Sequence, residues 1–263
     1  MKKMICLTLA LTMLVLCVSG CASQPPESTV LPNQGAQSTK PTGNVEPATE
    51  PSTEPVTEPT TQPTTEPVTE PAKEESNLSL GRMEGGTYVN EYMGIQCQLN
   101  SNWTFFTAKE LEQGLEHLDE STKGTKLNEA MADVEVFTDM MAENVADLVT
   151  INVVYQKLTM TQILAYTVTS EEEVVNQLLG EEQTMGEYYS AAGITLHSME
   201  KVKVTFLGEE HFALLSTCSI QDVPYYTLQL FNGTLGEYSV TLTLASYVEN
   251  NTQNLLDLFT AIK

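Results

Sequence analysis

The chain has 263 residues, with 35 acidic against 12 basic side chains and a formal net charge of -23. That balance excludes nucleic acid as a partner and argues against an anionic membrane surface as a binding face. Hydrophobic residues make up 41% of the chain, ordinary for a globular protein and too few for several membrane spans.

Residues 1–20 have the build of a secretory signal. Lys2 and Lys3 give a basic start, and residues 4–18 are almost entirely apolar. The run is short for a membrane span, and small residues follow it. It ends Val18-Ser19-Gly20-Cys21, which resembles a bacterial lipobox. The resemblance implies cleavage before Cys21, with Cys21 as the lipidated mature N-terminus. An ordinary cleaved signal with a chance cysteine is the alternative. Each buried methylene of an acyl chain contributes about 0.8 kcal/mol, so two or more chains hold firmly. Cys6 and Cys17 fall in the removed segment.

After Cys21, residues 22–78 read as a disordered tether. Eleven of the 12 prolines lie there. Residues 46–73 repeat every four positions as EPAT, EPST, EPVT, EPTT, QPTT, EPVT and EPAK. Stacked repeats need apolar residues, and this one has almost none. Proline fixes φ and pushes its neighbours toward extended conformations, while the glutamates repel one another. The expectation is a semi-rigid spacer with a limiting length on the order of 150 Å.

Residues 79–263 suit one folded domain. It keeps the acidity, with eight basic against 26 acidic side chains. Tyr88, Asn90 and Tyr92 begin an extended stretch, Met93-Gly94 reads as a turn, and Ile95, Cys97 and Leu99 alternate with Gln96 and Gln98 as a half-buried strand. Trp103 to Phe106 continue the sheet. Thr107 with Glu110 fits a capping box, followed by Leu111, Leu115 and Leu118 at helical spacing. Residues 119–130 read as polar loop or ragged helix, residues 134–141 as strand, and residues 148–158 as strand with Val149, Ile151, Val153 and Tyr155 on one face. Ser170 with Glu173 is a second capping box, and that helix runs on until Gly193 marks its exit. A four-strand meander follows. Its faces are Val202, Val204 and Phe206; Phe212, Leu214, Ser216, Cys218 and Ile220; Tyr226, Leu228 and Leu230; and Tyr238, Val240, Leu242 and Leu244. Asn232-Gly233 signals a hairpin turn. A last helix from Asn251 or Thr252 carries Leu255, Phe259 and Ile262 on one side. The fold class predicted is α+β, an antiparallel sheet of a hairpin plus a C-terminal four-strand meander with helices packed on it.

Gly86, Asn90, Tyr92, Gly94 and Ile95, followed by Trp103, resemble the opening of secreted clostridial lipoprotein domains. The order of elements is similar to the PsbP-like α/β/α sandwich. The resemblance implies an extracytoplasmic setting and an accessory or binding module. It transfers no catalytic motif, since fold does not carry function.

The chemistry-bearing residues are sparse. His117, His197 and His211 share no HxH or HxxxH spacing, and Glu209-Glu210-His211 reads as a solvated turn rather than a metal site. Cys97 and Cys218 both fall in the inward phase of strands, as a candidate disulfide or as two buried thiols. No GxSxG, SxxK, HExxH or phosphate-binding glycine loop occurs. Glu171-Glu172-Glu173 reads as N-terminal helix charge, favourable to the macrodipole. Trp103, Tyr188-Tyr189 and Tyr225-Tyr226 read as core packing before a sugar platform. No metal, cofactor, catalytic residue or ligand-binding residue is assigned. The functional expectation is a lipid-anchored, non-enzymatic module on the outer face of the cell membrane, in a Gram-positive type of envelope, serving another envelope protein. A solute- or glycan-binding lipoprotein is the alternative, and an envelope hydrolase the third reading.

Overall fold

The computed structural model describes residues 80–132 and 134–262. The expected signal segment, Cys21 and the expected tether lie outside them. Among the described residues, no helix is long and apolar enough to cross a membrane.

The central pairing follows from two strands rich in β-branched and aromatic residues, β6 (Val149–Lys157) and β10 (Tyr238–Tyr247). They run antiparallel, with Tyr238 opposite Lys157 and Ser246 opposite Val149. Around this pair the large sheet is ordered β4 (Thr104–Phe105), β5 (Val136–Asn144), β6, β10, β9 (Val223–Leu235), β8 (Glu209–Ile220), β7 (Thr195–Phe206). A small sheet is ordered β1 (Arg82–Glu84), β2 (Thr87–Asn90), β3 (Ile95–Gln98), β11 (Phe259–Ala261). Every pairing is antiparallel. The domain is α+β.

Each face of the large sheet has its own core. On one side Leu118, Leu127, Val175, Leu178, Met185 and Tyr189 of the helical layer meet Leu214, Cys218, Tyr225 and Ala245. That layer holds α1 (Ala108–Ser121), α2 (Lys126–Met131), α4 (Glu171–Leu179) and α5 (Glu182–Ala191), with α3 (Met160–Tyr166) adding Tyr166 at its edge. On the other side Ile151, Val153, Tyr155, Leu242 and Leu244 meet Tyr88, Ile95 and Cys97 of the small sheet, and Leu255 and Leu256 of α6 (Thr252–Leu256). The apolar phase of β6 faces the small sheet. Its other phase, Thr150, Asn152 and Gln156, is buried beneath the helices.

Both capping boxes form. Thr107 N–H donates to the Glu110 carboxylate at 2.7 Å, and Ser170 N–H to that of Glu173 at 2.9 Å. The polar stretch after Leu118 takes the ragged-helix alternative, because α1 runs to Ser121 and Thr125 caps α2 by accepting from Asn128 N–H. Several other expectations change. The helix begun at Ser170 breaks at Gly180 into α4 and α5. The segment after β6 holds α3, started by Gln162 accepting the Thr159 amide at 2.6 Å. Asn232-Gly233 is not the hairpin turn. It lies in β9, where Phe231 pairs with Thr241 and Thr234 with Ser239, a bulge opposite Val240. The turn falls at Gly236-Glu237, with Gly236 at φ 60°. The last helix stops at Leu256, and Phe259 joins the small sheet opposite Cys97. Without β11, β3 would end the small sheet with unpaired backbone groups, and strand pairing satisfies them where a helix would not.

Leu244 is fully buried at the centre of β10. Leu244→Ala should cost about 2–5 kcal/mol, as buried leucine truncations do. The denaturant midpoint should fall with the slope unchanged. A loss under about 1 kcal/mol would show that the small sheet does not press on this face.

Candidate functional site

The most densely bonded polar group of the domain starts at a bulge. In β5, Thr138 pairs with Val154 and Met140 with Val153, so Asp139 is the extra residue. A bulge re-aims a side chain. Here it turns the half-buried Asp139 carboxylate toward the small sheet. Gly81 N–H donates to its two oxygens at 2.9 and 3.1 Å. Tyr88 Oη donates at 2.5 Å and Asn90 Nδ2 at 2.7 Å. Asn90 Nδ2 also lies 2.9 Å from Tyr88 Oη and 2.9 Å from Tyr155 Oη, and Asn90 Oδ1 accepts from Met93 N–H at 2.8 Å. Gly81 has no alternative residue, since a Cβ there would sit 2.2 Å from the Tyr88 ring.

An aromatic group flanks this network. Tyr155 stacks on Phe137 at 5.4 Å between centroids, and Tyr238 meets both edge-on at 5.6 and 6.3 Å. Tyr92 leans on Tyr155 at 6.5 Å. Such pairs add about 0.5–1.5 kcal/mol beyond their buried area. Burial raises the Asp139 carboxyl above its ordinary value, and the Tyr88, Asn90 and Gly81 donors pull it partly back. Burial likewise raises the Tyr88 and Tyr155 hydroxyls. Every oxygen of Asp139 is engaged by a donor of the fold itself, and its role is to fasten the start of the domain to the large sheet.

The acidic triplet at the start of α4 divides its work. Glu173 caps Ser170. Glu172 pairs with Lys201 Nζ at 2.6 Å. Glu171 reaches β8, where one oxygen lies 2.8 Å from His211 Nδ1 and the other accepts from Phe212 N–H at 3.2 Å. His211, expected on a solvated turn, is therefore a docking partner for α4 and packs edge-on to Phe206. His197 is exposed beside Ser219 Oγ at 2.9 Å, and His117 is exposed on α1. Among the described residues, no three His, Cys, Asp or Glu side chains gather as a metal site.

Cys97 and Cys218 are both free and buried, and the structure does not bring them together. Cys97 belongs to the core under the small sheet and Cys218 to the core under the helices, with the large sheet between. The candidate disulfide is thus replaced by two thiols, each pushed up to about 12 by burial. Tyr188, Tyr189 and Tyr225 are buried, as core packing requires, whereas Trp103 is half-buried against the small-sheet core. Cys21 lies outside the described residues. Sequence reasoning missed Asp139 and Gly81, which are 58 positions apart. Gly81 and Tyr88 carried no local signal for this contact.

No protein-family model matches the chain, and no curated protein matches it. The chain is similar to the solution structure of cyanobacterial PsbP (CyanoP) from Synechocystis sp. PCC 6803, at a TM-score of 0.36 and 11% identity. The likeness covers 70% of this chain and 94% of that one. It is a likeness in the arrangement of elements and carries no chemistry across.

Asp139→Asn should destabilise the domain by about 1–3 kcal/mol at neutral pH, because an amide nitrogen would face the Gly81, Tyr88 or Asn90 donors. Folding raises the Asp139 pKa above 3.8, so the charge-burial cost is full above the folded value and vanishes below the ordinary one. The advantage of wild type over Asp139→Asn should therefore widen as pH falls through that window. Urea midpoints across the acid range check this, and an advantage that shrinks on acidification contradicts the raised carboxyl. A second check concerns the thiols of Cys97 and Cys218. Both should label with a thiol reagent only after denaturation, without prior reduction.

Proposed function

We propose that the chain is a lipid-anchored extracytoplasmic protein whose domain acts as an accessory or binding module for another envelope protein. The observation that carries the reading is the lipobox cysteine, Cys21, followed by a proline-rich acidic tether that ends at a folded domain. The polar groups of the domain support this. Asp139, Glu171 and His211 spend their hydrogen bonds on fastening elements together.

A second reading, a solute-binding module, rests on one specific feature. Ser216 and Thr227 face each other across β8 and β9 beneath the helices. Both are fully buried, and their hydroxyls have no hydrogen-bond partner among the described residues. A buried hydroxyl without a partner costs about 1–3 kcal/mol, and a polar ligand would offset that cost. A thermal-shift panel of sugars, peptides and metal ions separates the two readings, since only solute binding raises the midpoint.

The anchor is tested by Cys21→Ser. The variant should leave the membrane fraction and appear in the medium or the soluble fraction. Retention in the membrane at the wild-type level would refute lipidation at Cys21.

A further inference from the structure

One end of the large sheet is apolar, strained and acidic at once. Three loops meet there: the turn between β5 and β6, the end of β10, and the turn between β8 and β9. Tyr247 N–H donates to Leu148 C=O at 3.0 Å, and Val248 N–H to Pro224 C=O at 2.9 Å, so the three are joined through their backbones. On them Val145, Leu148, Val223 and Val248 are 67, 47, 42 and 52% exposed. Single exposed apolar residues are ordinary, but four on adjoining loops form a patch.

The backbone supplies an independent observation. Five described residues other than glycine have positive φ, and four lie here: Leu148 at 53°, Gln221 at 49°, Asp222 at 66° and Val248 at 68°. A β-branched residue in the left-handed region is a genuine outlier. Glycine or asparagine would hold the same turns with less strain. About half of Val248 and of Leu148 stays exposed, so their side chains contribute less to folding than core residues do. Strain kept at exposed apolar positions points to recognition. The loops are stiffened as well. Asn144 Oδ1 accepts from the Ala146 and Asp147 amides at 3.2 Å each, its Nδ2 donates to Asp147 at 2.6 Å, and Ser246 Oγ donates to Glu249 C=O. A stiff surface loses little entropy on binding.

Charge names the partner. Residues 143–149, 221–224 and 247–251 carry Glu143, Asp147, Asp222 and Glu249, with no lysine or arginine. Four carboxylates around an apolar centre repel anionic lipid and suit a protein surface with an apolar pocket and a basic rim. The patch lies at the Asn144 end of β5, clear of the Asp139 network at the middle of that strand. We infer that this sheet end is the docking surface for a protein partner presenting an apolar pocket rimmed by lysine or arginine. The inference rests on the accessory-module reading and specifies its surface.

The test uses the full chain on the cells that make it. A photoreactive residue is placed at Val145, at Val248, or at Val168, which is exposed next to α3. The two tip positions should give one protein product that Val168 does not. With that product purified, Asp222→Lys and Glu249→Lys should each weaken binding by about tenfold, and added salt should weaken wild-type binding. Val248→Asn should raise the thermal midpoint by about 2–4 °C while reducing capture from Val145, because asparagine tolerates the left-handed region. A partner captured from Val168 but not from the tip overturns this surface and leaves the accessory reading standing. No captured protein from any position overturns both. Tip products that are only a second copy of the chain overturn the inference, as does tip-dependent sedimentation with phosphatidylglycerol or phosphatidylcholine vesicles. A midpoint lowered by Val248→Asn removes the strain argument.

Discussion

The pairing of β6 with β10 sits at the middle of a sheet that is covered on both faces. Eight of the nine residues of β6 and nine of the ten of β10 are buried. A strand in that position has no solvent phase, so each alternate side chain must suit one of two different cores. The small-sheet side receives Val149, Ile151, Val153, Tyr155, Tyr238, Val240, Leu242 and Leu244. The helical side receives Thr150, Asn152, Gln156, Ser239, Thr241 and Thr243. The sheet protects its edges by different means. β4 is only two residues long, and β7 carries Lys201, Lys203 and Glu200 along its length. Short and charged edges both discourage pairing with another chain.

This double coverage explains what was legible in the sequence. Alternation in residues 148–158 and through the meander located β6, β8, β9 and β10, because period two survives whichever face is wet. Alternation cannot say that both faces are dry. A strand with Val, Ile and Tyr on one phase and Thr, Asn and Gln on the other reads as half-exposed. The same limit applies to the cysteines. Cys97 and Cys218 are inward in phase, but there are two inward directions, and they take different ones.

The misread elements share a cause, in that tertiary pairing outweighed a local preference. Asn232-Gly233 is a good two-residue turn, yet β9 continues to Leu235 and absorbs the pair as a bulge. The residues after Leu256 have helical spacing, yet β3 offers an unpaired edge and Phe259 takes it. The capping boxes at Thr107 and Ser170 were legible because both partners lie within one turn. Asp139 was not. Its meaning depends on Gly81, Tyr88 and Asn90, brought to it by a bulge and by the stacking of one sheet on another.

The Asp139 network at the middle of β5 and the loops at one end of the sheet therefore hold the chain in opposite ways. Around Asp139 a bulge aims the carboxylate and the side chains do the fastening, with a glycine where a side chain would collide with Tyr88. Around Leu148 and Val248 the backbone is strained, and the side chains stand in solvent. Strain of about 1 kcal/mol or more per residue is a sizeable part of a domain's net stability. It persists only because the surrounding ladder over-determines the turns, and the β6–β10 register supplies that ladder. A substitution that weakens the central pairing would thus relax these loops before it unfolds the domain, whereas the Asp139 network would keep its own side-chain bonds.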